Sequence, residues 1–142
     1  PIFIGPVFIH GHSDITTYSV FFGHLAARLM DCEQSELLLG SDDELAMRKY
    51  MANFFPRAAT IVCSRHLKQN VTRKLETLLG SKTDIRRTLF NSVCGDVGLM
   101  SCRDIVTFDA QLKTIRTNEL LIGPPEFREY CERRLIPILR QT

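Results

Sequence analysis

Leu37 to Asn70 reads LLLGSDDELAMRKYMANFFPRAATIVCSRHLKQN, and its parts decide the fold. Leu37-Leu38-Leu39 is a short apolar run of the kind that makes a buried strand. It enters Gly40-Ser41-Asp42-Asp43-Glu44, an acidic turn. Open α/β sheets place ligand chemistry at the carboxyl ends of their strands, so Asp42 is the first candidate for a metal ligand. Ser41, Asp42 or Asp43 is equally suited to cap the helix that follows. That helix carries Leu45, Tyr50 and Phe54 and stops at Pro56, whose missing N–H cannot continue it. Ala59 to Cys63 is the next strand, and Cys63-Ser64-Arg65-His66 opens another helix.

Before this stretch, Ile2 to Ile9 is apolar, β-branched and aromatic and reads as a strand, with Pro6 confining it to an edge or a bulge. His10-Gly11-His12 turns the chain; the two imidazoles read as turn residues rather than a metal pair. Ser13 or Asp14 caps a helix over about 14–30, with Ile15, Tyr18, Phe22, Leu25 and Leu29 as its apolar stripe. Beyond the central stretch only helices are expected. Leu67, Val71, Leu75 and Leu78 form a stripe that ends at Gly80, a left-handed stop. Thr83-Asp84 starts a helix with Ile85, Leu89 and Val93, and residues 94–98 form a loop. Ile105, Phe108, Leu112 and Ile115 mark one further helix. Pro124 and Pro125 open the last, with Phe127, Cys131, Leu135 and Ile138. The expected fold is α/β: a β-α-β-α-β core over residues 1–71, then a helical region over 72–142.

Composition bounds the function. The 142 residues are 44% hydrophobic, enough for a real core. No run is long enough to span a bilayer and no signal-peptide pattern opens the chain. It starts inside a strand pattern without Met, as a piece of a longer protein would. Five scattered cysteines, an odd number, argue for reduced thiols and a nuclear or cytoplasmic setting rather than a disulfide framework. Residues 1–71 hold six Lys/Arg against seven acids and residues 72–142 hold twelve against nine, so the basic excess lies in the second half. Arg65, Lys68, Arg73 and Lys74 cluster on the helix after Cys63, and Arg86-Arg87 and Arg133-Arg134 follow. Such a set either neutralises DNA phosphates or forms an ordinary solvated face.

GSDDE, FPRA and CSRHLKQN, in this order and spacing, resemble the transposase domain of Mutator-like elements, and Ile4-Gly5-Pro6-Val7 also fits. That family shows a Gly-Thr-Asp-Gly-Glu type turn, a Phe-Pro-x-Ala step and a Cys-x-x-His-x-x-x-Asn segment. The resemblance implies a ribonuclease-H-like core that cuts and joins DNA with three carboxylates and two magnesium or manganese ions. Asp42 matches the family's second catalytic Asp. The first Asp would lie upstream of Pro1 and the third residue, a Glu, beyond Thr142; Glu126, Glu129 and Glu132 are not assigned that role. The piece alone is therefore expected to be inactive, and, with two core strands missing, poorly folded or self-associating. Asp43 and Ser41 stand where Gly and Thr are usual, which leaves room for a domesticated copy that binds DNA or protein without cutting. Cys63 and His66 supply half of a tetrahedral zinc site; a buried Cys and a hydrogen-bonded His are the favoured reading, and zinc is not expected.

Overall fold

The computed structural model describes residues 11–12, 14–42, 44–118 and 123–140. The expected strand at 2–9, His10, Ser13 and Asp43 lie outside the described residues. The chain divides into two compact units, residues 1–63 and 64–142. The helix that opens the second unit runs through residue 71 without a break.

In the first unit, helix α1 (Ile15–Arg28) starts where the Asp14 carboxylate accepts the Thr17 N–H at 2.8 Å. A short 3₁₀ turn, Gln34–Glu36, leads into strand β1 (Leu38–Ser41). Helix α2 (Leu45–Phe54) and strand β2 (Ala59–Val62) complete a βαβ unit. The strands pair in parallel, Leu38 beside Ala59 through Ser41 beside Val62. Alternation then puts Leu39, Ser41, Thr60 and Val62 on one face and Leu38, Gly40, Ala59 and Ile61 on the other. The core is Tyr18, Phe22, Met51 and Phe55, with Leu25, Leu29, Leu39, Tyr50 and Phe54 packed around it. On α1 the expected stripe holds at Tyr18 and Phe22, whereas Ile15 is exposed. On α2 the buried residue is Met51, not Leu45.

The expectation of a buried strand at Leu37–Leu39 needs correcting. Leu38 is 63% exposed and Ile61 44%. Parallel sheets are normally covered on both faces. Among the described residues only one face of the β1–β2 pair meets the α1–α2 core, and Leu38 and Ile61 on the other remain exposed. Among those residues β1 and β2 have no further strand beside them, which leaves edges open to pairing. The 142-residue chain is accordingly expected to self-associate in sedimentation velocity, and Leu38→Lys with Ile61→Lys to weaken that association by at least about tenfold. A compact monomer at high concentration would show that this face needs no cover.

The second unit is helical throughout its described residues. It comprises α3 (Ser64–Leu79), α4 (Thr83–Cys94), a 3₁₀ turn (Leu99–Ser101), α5 (Ile105–Thr117) and α6 (Pro125–Tyr130), then a π-helical turn (Cys131–Leu135) and α7 (Ile136–Leu139). Gly80 ends α3 at φ +54°, the left-handed stop that glycine adopts without a Cβ clash. Asp104 caps α5, accepting the Thr107 N–H at 2.8 Å and its hydroxyl at 2.9 Å. The core takes Leu67, Val71 and Leu75 from α3, Leu89 and Val93 from α4, Phe108, Leu112 and Ile115 from α5, and Phe127, Leu135, Ile136 and Ile138 from the C-terminal helices. Gly98 turns so tightly after α4 that a Cβ there would lie 2.7 Å from the Val93 and Asn91 carbonyl oxygens.

The π turn was not legible in the apolar spacing. It ends two residues before Pro137, which has no N–H for the Arg133 carbonyl and whose ring would crowd it in a regular helix. A widened turn relieves both problems. The turn is tied to α5 by Arg116, whose Nε and Nη2 donate to the two Glu132 oxygens at 2.8 and 2.6 Å. These bonds to Arg116 hold the Glu132 carboxyl below its ordinary range. Arg140, just after α7, pairs with Asp109 of α5.

Burial sets the thiol chemistry of this unit. It pushes Cys94 up to about 11 and Cys131 up to about 12, from an ordinary 9.0. Both folded values are raised, so the protonated thiols stabilise the fold below pH 9 and that contribution is lost as pH rises through 11 to 12. Iodoacetamide at about pH 8 is expected to modify Cys32 and Cys63, which are exposed, and to spare Cys94 and Cys131 until the protein is denatured. Mass spectrometry of the native-state adducts checks this; rapid native labelling of Cys131 would contradict its burial.

Candidate functional site

The two parallel strands end side by side. Ser41 is the last residue of β1, and its register partner Val62 is the last of β2. Asp42 and Cys63 therefore follow at the same carboxyl edge, and the Cys63 N–H donates to the Ser41 carbonyl at 2.8 Å. The apolar β1 run ends here because Gly40-Ser41-Asp42 supplies turn-forming residues. Asp42 is half-buried, and its Oδ1 accepts the Glu44 N–H at 3.2 Å. That is a local Asx-type turn leading into α2. The Ser41 hydroxyl donates to the Asp42 carbonyl at 2.7 Å and tightens the same corner.

Glu44 joins this edge to α1. The Tyr18 hydroxyl, on a side chain only 3% exposed, donates to Glu44 Oε2 at 2.6 Å. This link spans 26 residues. Sequence reasoning placed Tyr18 in the apolar stripe and gave Glu44 no role. The one available hint was that a tyrosine on a buried face needs a partner for its hydroxyl.

Asp42 thus provides a carboxylate at a strand tip while also capping the turn. Among the described residues, no three His, Cys, Asp or Glu side chains converge to hold a metal ion. The described residues do not by themselves make a magnesium or manganese site. Cys63 is exposed at the end of β2, not buried as expected, and His66 is exposed on the first turn of α3.

The four cations singled out on α3 fall into two settings. Arg65, Lys68 and Arg73 line a groove with Ser64, Gln69, Thr72 and Glu76. Lys74 lies instead toward the C-terminal helices, its Nζ 6.0 Å from the centre of the Tyr130 ring. The acid in the first groove, Glu76, faces Arg86 at 3.8 Å. Arg87 pairs with Asp84, and Arg133 with Glu129. No helix among the described residues is long and apolar enough to cross a membrane. Comparison of the chain with protein-family models, with curated proteins and with solved structures gave no match.

Proposed function

We propose that this chain is part of the catalytic region of a Mutator-like DDE transposase, with a ribonuclease-H-like core, working on DNA in the nucleus or cytoplasm. Asp42 is one of its metal-binding carboxylates, the remaining ligands for magnesium or manganese coming from outside the described residues. The observation that carries this reading is the placement of Asp42 one residue beyond the carboxyl end of β1, beside a parallel neighbour, where α/β sheets collect ligand-binding side chains. Arg65, Lys68, Arg73 and Lys74 supply phosphate contacts in the second unit.

A second reading is a domesticated derivative that binds DNA or protein without cleaving it. It is favoured by the Asp42 carboxylate being engaged in its own turn, with no metal-binding group among the described residues. The complete protein, incubated with labelled terminal DNA of its element and magnesium or manganese, separates the two. Strand cleavage supports the transposase. DNA binding with no cleavage under either ion supports the derivative, and no DNA affinity at all removes the transposase and leaves only a derivative that binds protein.

A further inference from the structure

We infer that the groove between α3 and the C-terminal helices is a seat for a nucleic-acid backbone, with Arg134 as a phosphate contact alongside Arg73 and Lys74. The choice of DNA as occupant rests on the function proposed above; the polyanion chemistry of the groove does not. Its lining is Asn70, Arg73, Lys74, Thr77, Tyr130 and Arg134, around a volume of about 500 Å³. Three of the six carry positive charge, and none of these described residues is acidic. Asn70 and Thr77 add neutral groups able to donate to phosphate oxygens.

The elements explain the arrangement. Positions 70, 73, 74 and 77 are three and four apart, so they share one face of α3. Tyr130 and Arg134 are also four apart, across the junction of α6 with the π turn. π turns concentrate at functional sites because the extra residue re-aims neighbouring side chains. The Tyr130 ring sits beneath the Lys74 ammonium and holds it at the groove wall. Arg73 also lines a second groove, on the neighbouring side of α3, with Arg65 and Lys68.

Length favours a nucleic acid over a single phosphate. Along α3 the groove runs from Asn70 to Thr77, roughly 10 Å at about 1.5 Å per residue. One DNA strand places a phosphate about every 3.4 Å of axis, so the groove matches roughly three of them. Across both grooves the described lining holds one carboxylate, Glu76, and that one already faces Arg86.

Fluorescence anisotropy of the intact protein with a labelled mixed-sequence DNA duplex tests this over a potassium chloride series. Lys74→Gln with Arg134→Gln is expected to flatten the log–log salt slope by about 1.8 and weaken binding roughly 60-fold near 0.1 M salt. Arg133→Gln removes one positive charge beside the groove, on a residue outside its lining, and is expected to stay within about twofold of the parent. Lys74→Arg, which keeps the charge, is expected to bind within about threefold, so loss in the double variant through misfolding is recognised by its melting curve and by this rescue. An unchanged salt slope in a folded double variant overturns the inference and leaves the proposed function standing. Absence of DNA binding by the unmodified protein removes both. Displacement of the duplex by a polyglutamate peptide at equal charge overturns the nucleic-acid assignment in favour of an acidic protein partner.

Discussion

Asp42→Asn in the complete protein is expected to reduce metal-dependent DNA strand cleavage by about 10³-fold while leaving the fold intact. The substitution isolates charge from shape. Asparagine keeps a side-chain oxygen for the Glu44 N–H, so the turn between β1 and α2 persists. It removes the negative charge that a divalent cation requires of its ligand. Stability is expected to change by no more than about 0.5 kcal/mol, since no ion pair of Asp42 is broken among the described residues. Cleavage assays beside thermal melting give both readings. A variant that melts normally and cuts at the parental rate would assign Asp42 to the turn alone, and the transposase reading would go with it. A variant that melts early would show that the corner depends on the charge itself.

The largest stability effect is expected at Phe127. Phe127→Ala should destabilise the second unit by about 3–5 kcal/mol, a large part of what a domain of this size holds in reserve. The ring is only 1% exposed and lies tilted against Tyr130, 6.2 Å between centroids. It faces Val93 of α4, Leu99 of the 3₁₀ turn, Leu112 and Ile115 of α5, and Ile136 of α7 around one small internal space. Removing it leaves a cavity bounded by elements from four parts of the unit, which cannot all close in. Gly123, at φ +68°, precedes α6, and a Cβ there would stand 2.7 Å from Leu89. The chain thus has little freedom to shift toward the gap. Urea unfolding followed by far-UV circular dichroism measures the loss. A cost under about 1 kcal/mol would mean that the C-terminal helices are not part of the cooperative core.

The same substitution bears on the groove. Tyr130 stands three residues from Phe127 and Arg134 seven, so a loosened α6 would misplace the groove wall. Phe127→Ala is therefore a poor probe of DNA contacts. Surface replacements at Lys74 and Arg134 are the informative ones, because they leave this packing alone.

Much of the helical layout could be read locally. Asp14 and Asp104 supply the acceptors their helix starts need, Gly80 permits the left-handed stop, and Pro125 fits the first position of α6. These are interactions within one turn of chain, and the residues that make them are adjacent in sequence. The apolar spacing likewise named Tyr18, Phe22, Val71, Leu75 and Phe127 for burial, since a helix offers one face and repeats it. The parallel pairing of β1 with β2, and hence the position of Asp42 at a strand tip, was also within reach, because the intervening helix brings two short strands back in the same direction.

What the residues could not announce depended on distant partners. Leu38 and Ile61 look like core residues, and only the number of neighbouring elements leaves them in solvent. The Tyr18 hydroxyl meets Glu44 because α1 packs on α2, a contact between segments far apart in the chain. Lys74 and Arg73 are successive cations in sequence, yet one turns to Tyr130 while the other borders two grooves. Local propensity acts over a few residues and is written in the order of the letters; burial and charge environment are sums over neighbours that exist only once the chain has closed on itself.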